Sequence, residues 1–429
     1  MAINRPRGTS DILPEDMGKW LYLEEKAREV CLQYGYQEIR TPVFEHTELF
    51  DRGIGETTDI VEKEMYEFRD KGNRSITLVP EGTAPVVRAY IENKIYAEAQ
   101  PTKLFYIAPM FRYGRPQAGR LRQFHQFGIE AFGSNDPAID AEVIALSMDY
   151  YKRVGLVDLE LHINSVGCPR CRAANKEKLL NYLRPYTDSL CDTCESRLER
   201  NPLRIFDCKS ETCNEIMIAA PKPFDSLCEE CLAHYELVRE YLGILNVPYI
   251  ENRELVRGLD YYTKTAFEIM VQGIGAQSSI GGGGRYDLLV EECGGPDTPG
   301  IGFGLGMERI LLALDEQGQN IEQVVKPKIF IATANTAADS KETKEAVRIL
   351  AMLRQEGFLA DKDYLGRSLR AQMRFAHRQG FKILVIVAEE ELGRGNIVVR
   401  DMGSGEQREI GLDAVLSELK AVIGGINNG

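Results

Sequence analysis

The pattern of apolar and polar positions predicts a first helix over residues 14–34. Pro14 suits its opening turn, Glu15 and Asp16 suit its positive end, and Gly35 is a natural stop. A strand-like run follows over 35–44, with Pro42 as a bend or an edge. Residues 104–112 and 123–132 read as two strands joined by the polar, glycine-containing stretch 113–122, a long antiparallel hairpin. Asp136 then caps a helix that Pro137 opens and Gly155 ends. Strands resume over 255–262 and 264–271. A glycine run at 281–284 and a glycine ladder at 300–306 lead into a helix from Met307. Beyond Pro327 the texture changes. An apolar strand at 329–332 is followed by helices at 339–356 and 368–379, a buried type of strand at 382–388 and a last helix at about 412–423. That alternation predicts a separate α/β layer domain.

Composition changes this picture in two places. The 429 residues are 44% hydrophobic and 27% charged, as in an ordinary soluble globular chain, and the length suits two or three domains. The apolar run 383–388 is six residues, far below the roughly 20 that a bilayer needs. Net charge is −13, which argues against a nucleic-acid partner if spread evenly. It is uneven: from Lys326 onward there are 16 Lys and Arg against 14 Asp and Glu. The tail is a separate electrostatic object. The second place is 168–235, which holds eight of the ten cysteines and reads as an insertion. The start of the chain has no apolar signal region, so a reducing, cytoplasmic setting is expected, where paired cysteines suggest metal or redox chemistry.

Candidate chemistry is spread along the chain. No Gly-x4-Gly-Lys-Ser/Thr phosphate loop occurs, so any phosphate handling must rest on arginines and metal ions. Gln126, Gly128 and Glu130 share one face of their strand, a polar floor that could take a small amine or imidazole, or simply a solvated face. His125 falls on the opposite face, which favours a structural role. Residues 80–85, Pro-Glu-Gly-Thr-Ala-Pro, make a rigid polar turn. In 255–263 Arg257 sits in a β-like run before Asp260, Tyr261 and Tyr262, and a buried arginine needs an anionic partner. Glu308 and Arg309 open the helix after the glycine ladder.

Taken in order, these segments resemble a class II aminoacyl-tRNA synthetase. Residues 35–50, 105–130 with Phe111-Arg112 at their centre, and 302–310 with Arg309 are similar to the three class motifs. Arg257-Gly-Leu-Asp-Tyr-Tyr262 with Ser279-Ile-Gly-Gly-Gly-Gly-Arg-Tyr286 resembles the two histidine-specific elements of the histidyl-tRNA synthetase family, and 7–14 fits the same family. The resemblance implies an α+β catalytic domain on an antiparallel sheet over 1–325, the Cys-rich insertion within it, and an α/β anticodon-binding domain over 326–429. It implies an AMP-forming histidine–tRNA ligase, with histidine activated by ATP and Mg²⁺ and passed to tRNA(His). By the same resemblance, Arg112 and Arg257 would be catalytic, on two sides of the α-phosphate. Arg120 and Arg309 would join Arg112 on ATP. Glu81, Thr83, Gln126, Glu130, Tyr261 and Tyr262 would hold histidine with Arg112 and Arg257, and Arg122 would belong to the loop that closes on ATP and tRNA. A homodimer through 35–50 is expected. The runner-up is a non-catalytic, histidine-sensing regulatory paralogue.

Two features stay open at this level. Arg367, Arg370, Arg374 and Arg378 recur at +3, +4 and +4, which places them on one helix face as a tRNA-binding stripe or a solvated basic face. Cys168-x2-Cys171 and Cys191-x2-Cys194 stand 19 residues apart, a zinc-ribbon spacing, with Cys228-x2-Cys231 as a third pair and Cys208 with Cys213 besides; these are candidate ligands of one or two structural Zn²⁺ sites or a degenerate remnant.

Overall fold

The computed structural model describes residues 3–55, 58, 60–272, 278–319, 321 and 328–426. The chain forms two compact units, Met1–Glu322 and Gln323–Gly429. Pro327, where the pattern of the sequence changes, lies outside the described residues.

The first unit is built on a sheet of eight strands among the described residues: β1 (Gln37–Glu38), β2 (Thr102–Phe111), β3 (Gln123–Phe132), β4 (Leu159–Ser165), β5 (Ile250–Glu251), β6 (Thr263–Val271), β7 (Ser279–Arg285) and β8 (Gly300–Gly306). Their spatial order is β1-β2-β3-β8-β7-β6-β4-β5. The six central strands are antiparallel throughout, and only the two-residue edge strands pair in parallel. Period-2 alternation decides which face is dry. On β3, Phe127, Ile129 and Ala131 point into a core shared with Trp20, Leu23 and Val30 of helix Met17–Gln33 and with Ile139, Val143, Ile144 and Leu146 of helix Pro137–Val154. Each such buried aliphatic or aromatic side chain contributes about 1.5–3 kcal/mol. The helices cover this face, so the other face, with Gln126 and Gly128, is left for a ligand. Helix Pro137–Val154 is bounded as its sequence predicts: Asp136 Oδ1 accepts from Ala138 N at 2.9 Å, and Gly155 follows at φ +97°.

Two predicted elements differ. Residues 35–44 are not one strand. They split into β1 and the start of Phe44–His46, which belongs to a separate three-stranded sheet with Tyr66–Arg69 and Ser75–Leu78, because Pro42 removes a ladder donor between them. Residues 255–262 are not a strand at all. Their carbonyls are taken by side chains instead of a ladder, as described below.

The insertion contains helices Pro169–Leu183, Asp192–Arg200 and Glu211–Ile218 around a small core of their own, including Leu179, Leu183, Ile205 and Met217. Helix Glu229–Ile244 runs past the predicted end of the insertion. Its Tyr235, Val238 and Leu242 join the main core, and its His234 Nε2 bonds Asp140 Oδ2 at 2.8 Å.

The second unit is a five-stranded sheet: β9 (Lys328–Thr333), β10 (Leu359–Lys362), β11 (Ile383–Val387), β12 (Asn396–Asp401) and β13 (Gln407–Gly411), in the order β10-β9-β11-β12-β13. β9, β10 and β11 run parallel and the last two antiparallel. Helices Lys341–Gln355 and Leu369–Arg378 supply residues to two separate apolar clusters on it, one with Ile331 and Val385, the other with Phe330 and Leu384. The pattern of apolar residues foretold β9 and β11, whose residues are buried on both faces. It missed β10, β12 and β13, which carry charged residues at or near the edges.

Candidate active site

The wet face of the main sheet floors a cavity of about 700 Å³. Arg112, Arg257 and Arg309 all line it, although they come from the end of β2, the irregular stretch before β6, and the helix Met307–Glu316 after β8. Arg112 Nε donates to Pro80 O at 2.7 Å and its guanidinium lies over the Phe124 ring, 5.3 Å from the centroid. Burial lowers its pKa somewhat from a very high ordinary value, so it stays charged. Arg257 Nη1 donates to Glu268 Oε1 at 2.8 Å. Burial alone would lower the pKa of Arg257, but the Glu268 carboxylate outweighs it and fixes the positive charge. Arg309 Nε donates to Gly119 O at 3.1 Å and Nη1 to Ser279 O. Its neighbour Glu308 accepts from His125 N at 2.9 Å and from the His125 ring at 3.0 Å. Arg120 also lines the cavity and is tied to Glu64.

The glycines of β7 and β8 let side chains lie flat across the sheet. A Cβ at Gly304 would overlap Gln126 Nε2, and one at Gly282 would come within 2.8 Å of Arg257 Nη2. The amide of Gln126 and the guanidinium of Arg257 are thus supported from below by bare backbone.

Glu81, Thr83, Gln126, Tyr261 and Tyr262 line the same cavity. Glu81 is almost fully buried and accepts from Thr83 N at 2.9 Å and Ala84 N at 2.8 Å, at the start of helix Thr83–Glu92. Burial pushes its pKa up, against those two N–H bonds. Gln126 Oε1 is buried without a partner among the described residues, an unsatisfied acceptor in a residue that lines the cavity. Glu130 is placed differently from the expectation that it lines the pocket. It stands on the same sheet face as Gln126, over Gly302, but fully buried behind the lining side chains, accepting from Thr83 Oγ1 at 2.8 Å, Tyr106 OH at 3.4 Å and Tyr286 OH. Burial raises its pKa well above the usual carboxyl range even though those hydroxyls oppose it. The reason is that Gly128 leaves the room that the Tyr106 ring then fills.

Some residues here were not anticipated. Tyr286, the last residue of the second histidine-specific segment, lines the cavity although no role was expected of it, and Glu268 orients Arg257; Glu268 was legible in principle, since it alternates with the apolar positions of β6. Arg197, Arg204, Asp207 and Lys209 of the insertion also line the cavity, and no sequence signal placed them there. Arg122 stands apart from the lining residues, stacked over Tyr113 at 3.8 Å with its N–H bonded to Gly8 O at 2.7 Å. His125 packs edge-on to Trp20, 4.7 Å between centroids, on the face away from Gln126.

In the second unit, the predicted four-arginine stripe is corrected at one end. Helix Leu369–Arg378 begins after Arg367, which is partly buried, pairs with Asp363 at 3.2 Å and stacks over Phe375 at 4.2 Å. Arg370, Arg374 and Arg378 are exposed on the helix. Tyr364 and Leu365, 66% and 73% exposed, precede it.

The cysteine pairing is corrected too. Cys168 and Cys171 close with Cys228 and Cys231, while Cys191 and Cys194 close with Cys208 and Cys213. The zinc-ribbon spacing had put the first pair with Cys191 and Cys194. A helix of 15 residues, Pro169–Leu183, carries the chain away between them and defeats that reading.

An antiparallel sheet flanked by helices, a hairpin carrying Arg112 and a glycine strand leading to Arg309 define the catalytic domain of a class II aminoacyl-tRNA synthetase. A family model described as histidyl-tRNA synthetase matches residues 8–180 and 211–310, and one described as an anticodon binding domain matches 328–422. The chain is 60% identical over 421 residues to a Desulforamulus reducens protein named histidine–tRNA ligase, covering 98% of this chain and 100% of that one. It is 62% identical over 416 residues to a protein of the same name from Moorella thermoacetica, 97% of each chain. The crystal structure of apo S. aureus histidyl-tRNA synthetase matches with a TM-score of 0.82 at 44% identity, covering 98% of this chain and 100% of that one. The chain belongs to the histidyl-tRNA synthetase family.

Proposed function

We propose that the cavity activates L-histidine with ATP and passes the histidyl group to the 3′ end of tRNA(His). The first step is attack of the histidine carboxylate on the α-phosphate with loss of pyrophosphate, so negative charge builds on one phosphorus. Fixed cations are the main catalytic device for such a step. Arg112 and Arg257 take the α-phosphate and substrate carboxylate from two sides, and Arg309 and Arg120 take the outer phosphates. Glu81 receives the α-ammonium, with Thr83 beside it. The unpartnered Gln126 Oε1 and the Tyr261 and Tyr262 hydroxyls receive polar atoms of the substrate. Glu130 acts from behind the lining side chains, holding the Thr83 and Tyr286 hydroxyls that shape the pocket. Such a polar pocket rejects near-isosteres because they leave buried groups unpaired.

Mg²⁺ is a hard ion that keeps few protein ligands in nucleotide sites. The donor set fits it: Glu268 accepts from both Arg257 and Ser279 through Oε1, which leaves Oε2 as the oxygen able to take such an ion. It would supply charge neutralisation on the triphosphate. The basic helix Leu369–Arg378, with Tyr364 before it, is the candidate anticodon reader; exposed aromatics beside arginines suit base stacking. The reading extends to a cytoplasmic homodimer joined through 35–50. No helix among the described residues is long and apolar enough to cross a membrane.

The observation that carries the proposal is the convergence of Arg112, Arg257 and Arg309 on one cavity beside Glu81 and Gln126. The histidine-sensing regulatory alternative is not favoured, since a sensor needs the amino-acid pocket but not those phosphate-binding cations. The test is ATP–pyrophosphate exchange with all twenty amino acids offered in turn. Exchange with histidine alone is expected; exchange with none, or with several equally, would remove the proposal.

A further inference from the structure

The loop 252–262 carries Arg257, Tyr261 and Tyr262, yet it has almost no ladder of its own. Its carbonyls are held by side chains from elsewhere. Asn164 Nδ2 donates to Leu255 O at 2.9 Å, Arg204 Nη1 to Arg257 O at 3.2 Å, and Arg172 Nη1 to both Asp260 O and Tyr262 O at 3.0 Å. Asn201 Nδ2 donates to Asp260 Oδ1 at 2.5 Å. Three of these four donors belong to the insertion, and each lies close in sequence to a cysteine cluster. Arg172 follows Cys171, and Asn201 and Arg204 lie between Cys194 and Cys208.

The clusters have the geometry of tetrahedral thiolate sites. In each, the four Sγ atoms lie within 4.8 Å of one another. Zn–S bonds of about 2.3 Å set S···S separations of about 3.8 Å. Cys191 and Cys208 stand at 3.8 Å and Cys168 and Cys171 at 3.5 Å, too long for disulfides, and all eight thiols are free. Cys168, Cys191 and Cys228 each stand just before a helix, with Cys171, Cys194 and Cys231 in its first turn, so each pair is held by one helix start. Backbone N–H groups already point at the sulfurs: Cys228 N to Cys171 Sγ at 3.1 Å, Cys191 N to Cys213 Sγ at 3.4 Å and Ser210 N to Cys208 Sγ at 3.4 Å. Such donors orient thiolate ligands and stabilise their charge. Four sulfurs gathered around one point suit a single ion, whereas an iron–sulfur cluster would hold them farther apart around its own atoms.

We propose that each cluster binds one Zn²⁺, and that the two ions fix Arg172, Asn201 and Arg204 as positioning residues for the loop that presents Arg257, Tyr261 and Tyr262 to the cavity. The insertion is thereby a metal-set scaffold of the catalytic pocket. Its kinetic consequence rests on the proposed adenylation; its metal content and its effect on the loop do not.

The test uses the full chain purified without chelator. Metal analysis is expected to find two zinc ions per chain, with one lost in Cys168→Ser/Cys171→Ser and the other in Cys208→Ser/Cys213→Ser. Zinc well below one per chain in the unaltered protein, or iron with labile sulfide, overturns the metal assignment. Arg172→Ala and Arg204→Ala are expected to keep both zincs, which also certifies that they fold. Amide hydrogen exchange over 252–262 should quicken about tenfold in them. Because misplacing a reacting group by about 1 Å can cost about 10²-fold, kcat for pyrophosphate exchange should fall by about 10–100-fold with a smaller change in KM for ATP. Arg204→Lys, which can still donate to the Arg257 carbonyl, should recover most of both. Unchanged amide exchange and unchanged kcat in both alanine variants overturn the scaffold. Absence of any histidine-dependent exchange in the unaltered chain would instead sink the adenylation reading, leaving the zinc count and the amide rates to decide this one.

Discussion

Replacing Arg257 with alanine removes one of the guanidinium groups that line the cavity. A unit charge about 4 Å from a phosphate oxygen is worth about 4 kcal/mol at an effective dielectric constant of about 20, or roughly a thousandfold. Deleting one donor to a developing oxyanion costs about 10²–10³-fold on an independent scale. A second effect has the same sign. Glu268 Oε1 now accepts from Arg257 at 2.8 Å and Ser279 Oγ at 2.7 Å, and after the substitution its carboxylate faces the incoming triphosphate uncompensated. The expected loss in kcat/KM for ATP in histidine-dependent pyrophosphate exchange is therefore about 10³-fold or more. Histidine affinity by calorimetry should change far less, because the contacts proposed for Glu81, Thr83 and Gln126, and Arg112 on the carboxylate, are untouched. A loss of only a few fold would refute the assignment of Arg257 as the cation on the α-phosphate.

Three other outcomes follow from the same structure. Gly304→Ala should displace the Gln126 amide and raise KM for histidine about tenfold with little change for ATP; equal effects on both substrates would contradict it. Asp140, fully buried, pairs with Arg285 and accepts from His234 and Thr265 Oγ1, so Asp140→Asn should cost about 3–5 kcal/mol in urea denaturation. Burial would raise the pKa of Asp140, but Arg285 and His234 hold it below the usual carboxyl range. Its contribution is thus complete above the unfolded value of about 3.9 and is lost as pH falls through the lower folded value, a decline that the asparagine variant should lack. Arg370→Glu with Arg374→Glu should weaken aminoacylation of tRNA while leaving pyrophosphate exchange intact; equal loss of both would refute the anticodon role of that helix.

How far the sequence carried these conclusions differs from residue to residue. Strand β3 was legible to its ends because one face had to be dry, and the same alternation separated His125 from Gln126. Arg309 was legible as a helix-opening residue after a glycine ladder. Arg257 was found, but its conformation was not, because the donors that replace its ladder come from Arg172 and Arg204, far off in the chain. The pairing of Cys168 and Cys171 with Cys228 and Cys231 was hidden for a related reason: local spacing describes a single knuckle, while closure of a site depends on where the intervening helices lead. The burial of Glu130 followed from how the Tyr106 ring settles over Gly128, a packing detail with no periodic signature.

The central claim is that three guanidinium groups grip one triphosphate beside a pocket for histidine. Its most direct test is isolation of an enzyme-bound aminoacyl-adenylate after mixing the protein with ATP labelled at the α-phosphate and one amino acid. A stoichiometric complex with histidine, discharged when tRNA(His) is added, is the expected result. No labelled complex with histidine, or one formed equally well with other amino acids, would contradict it.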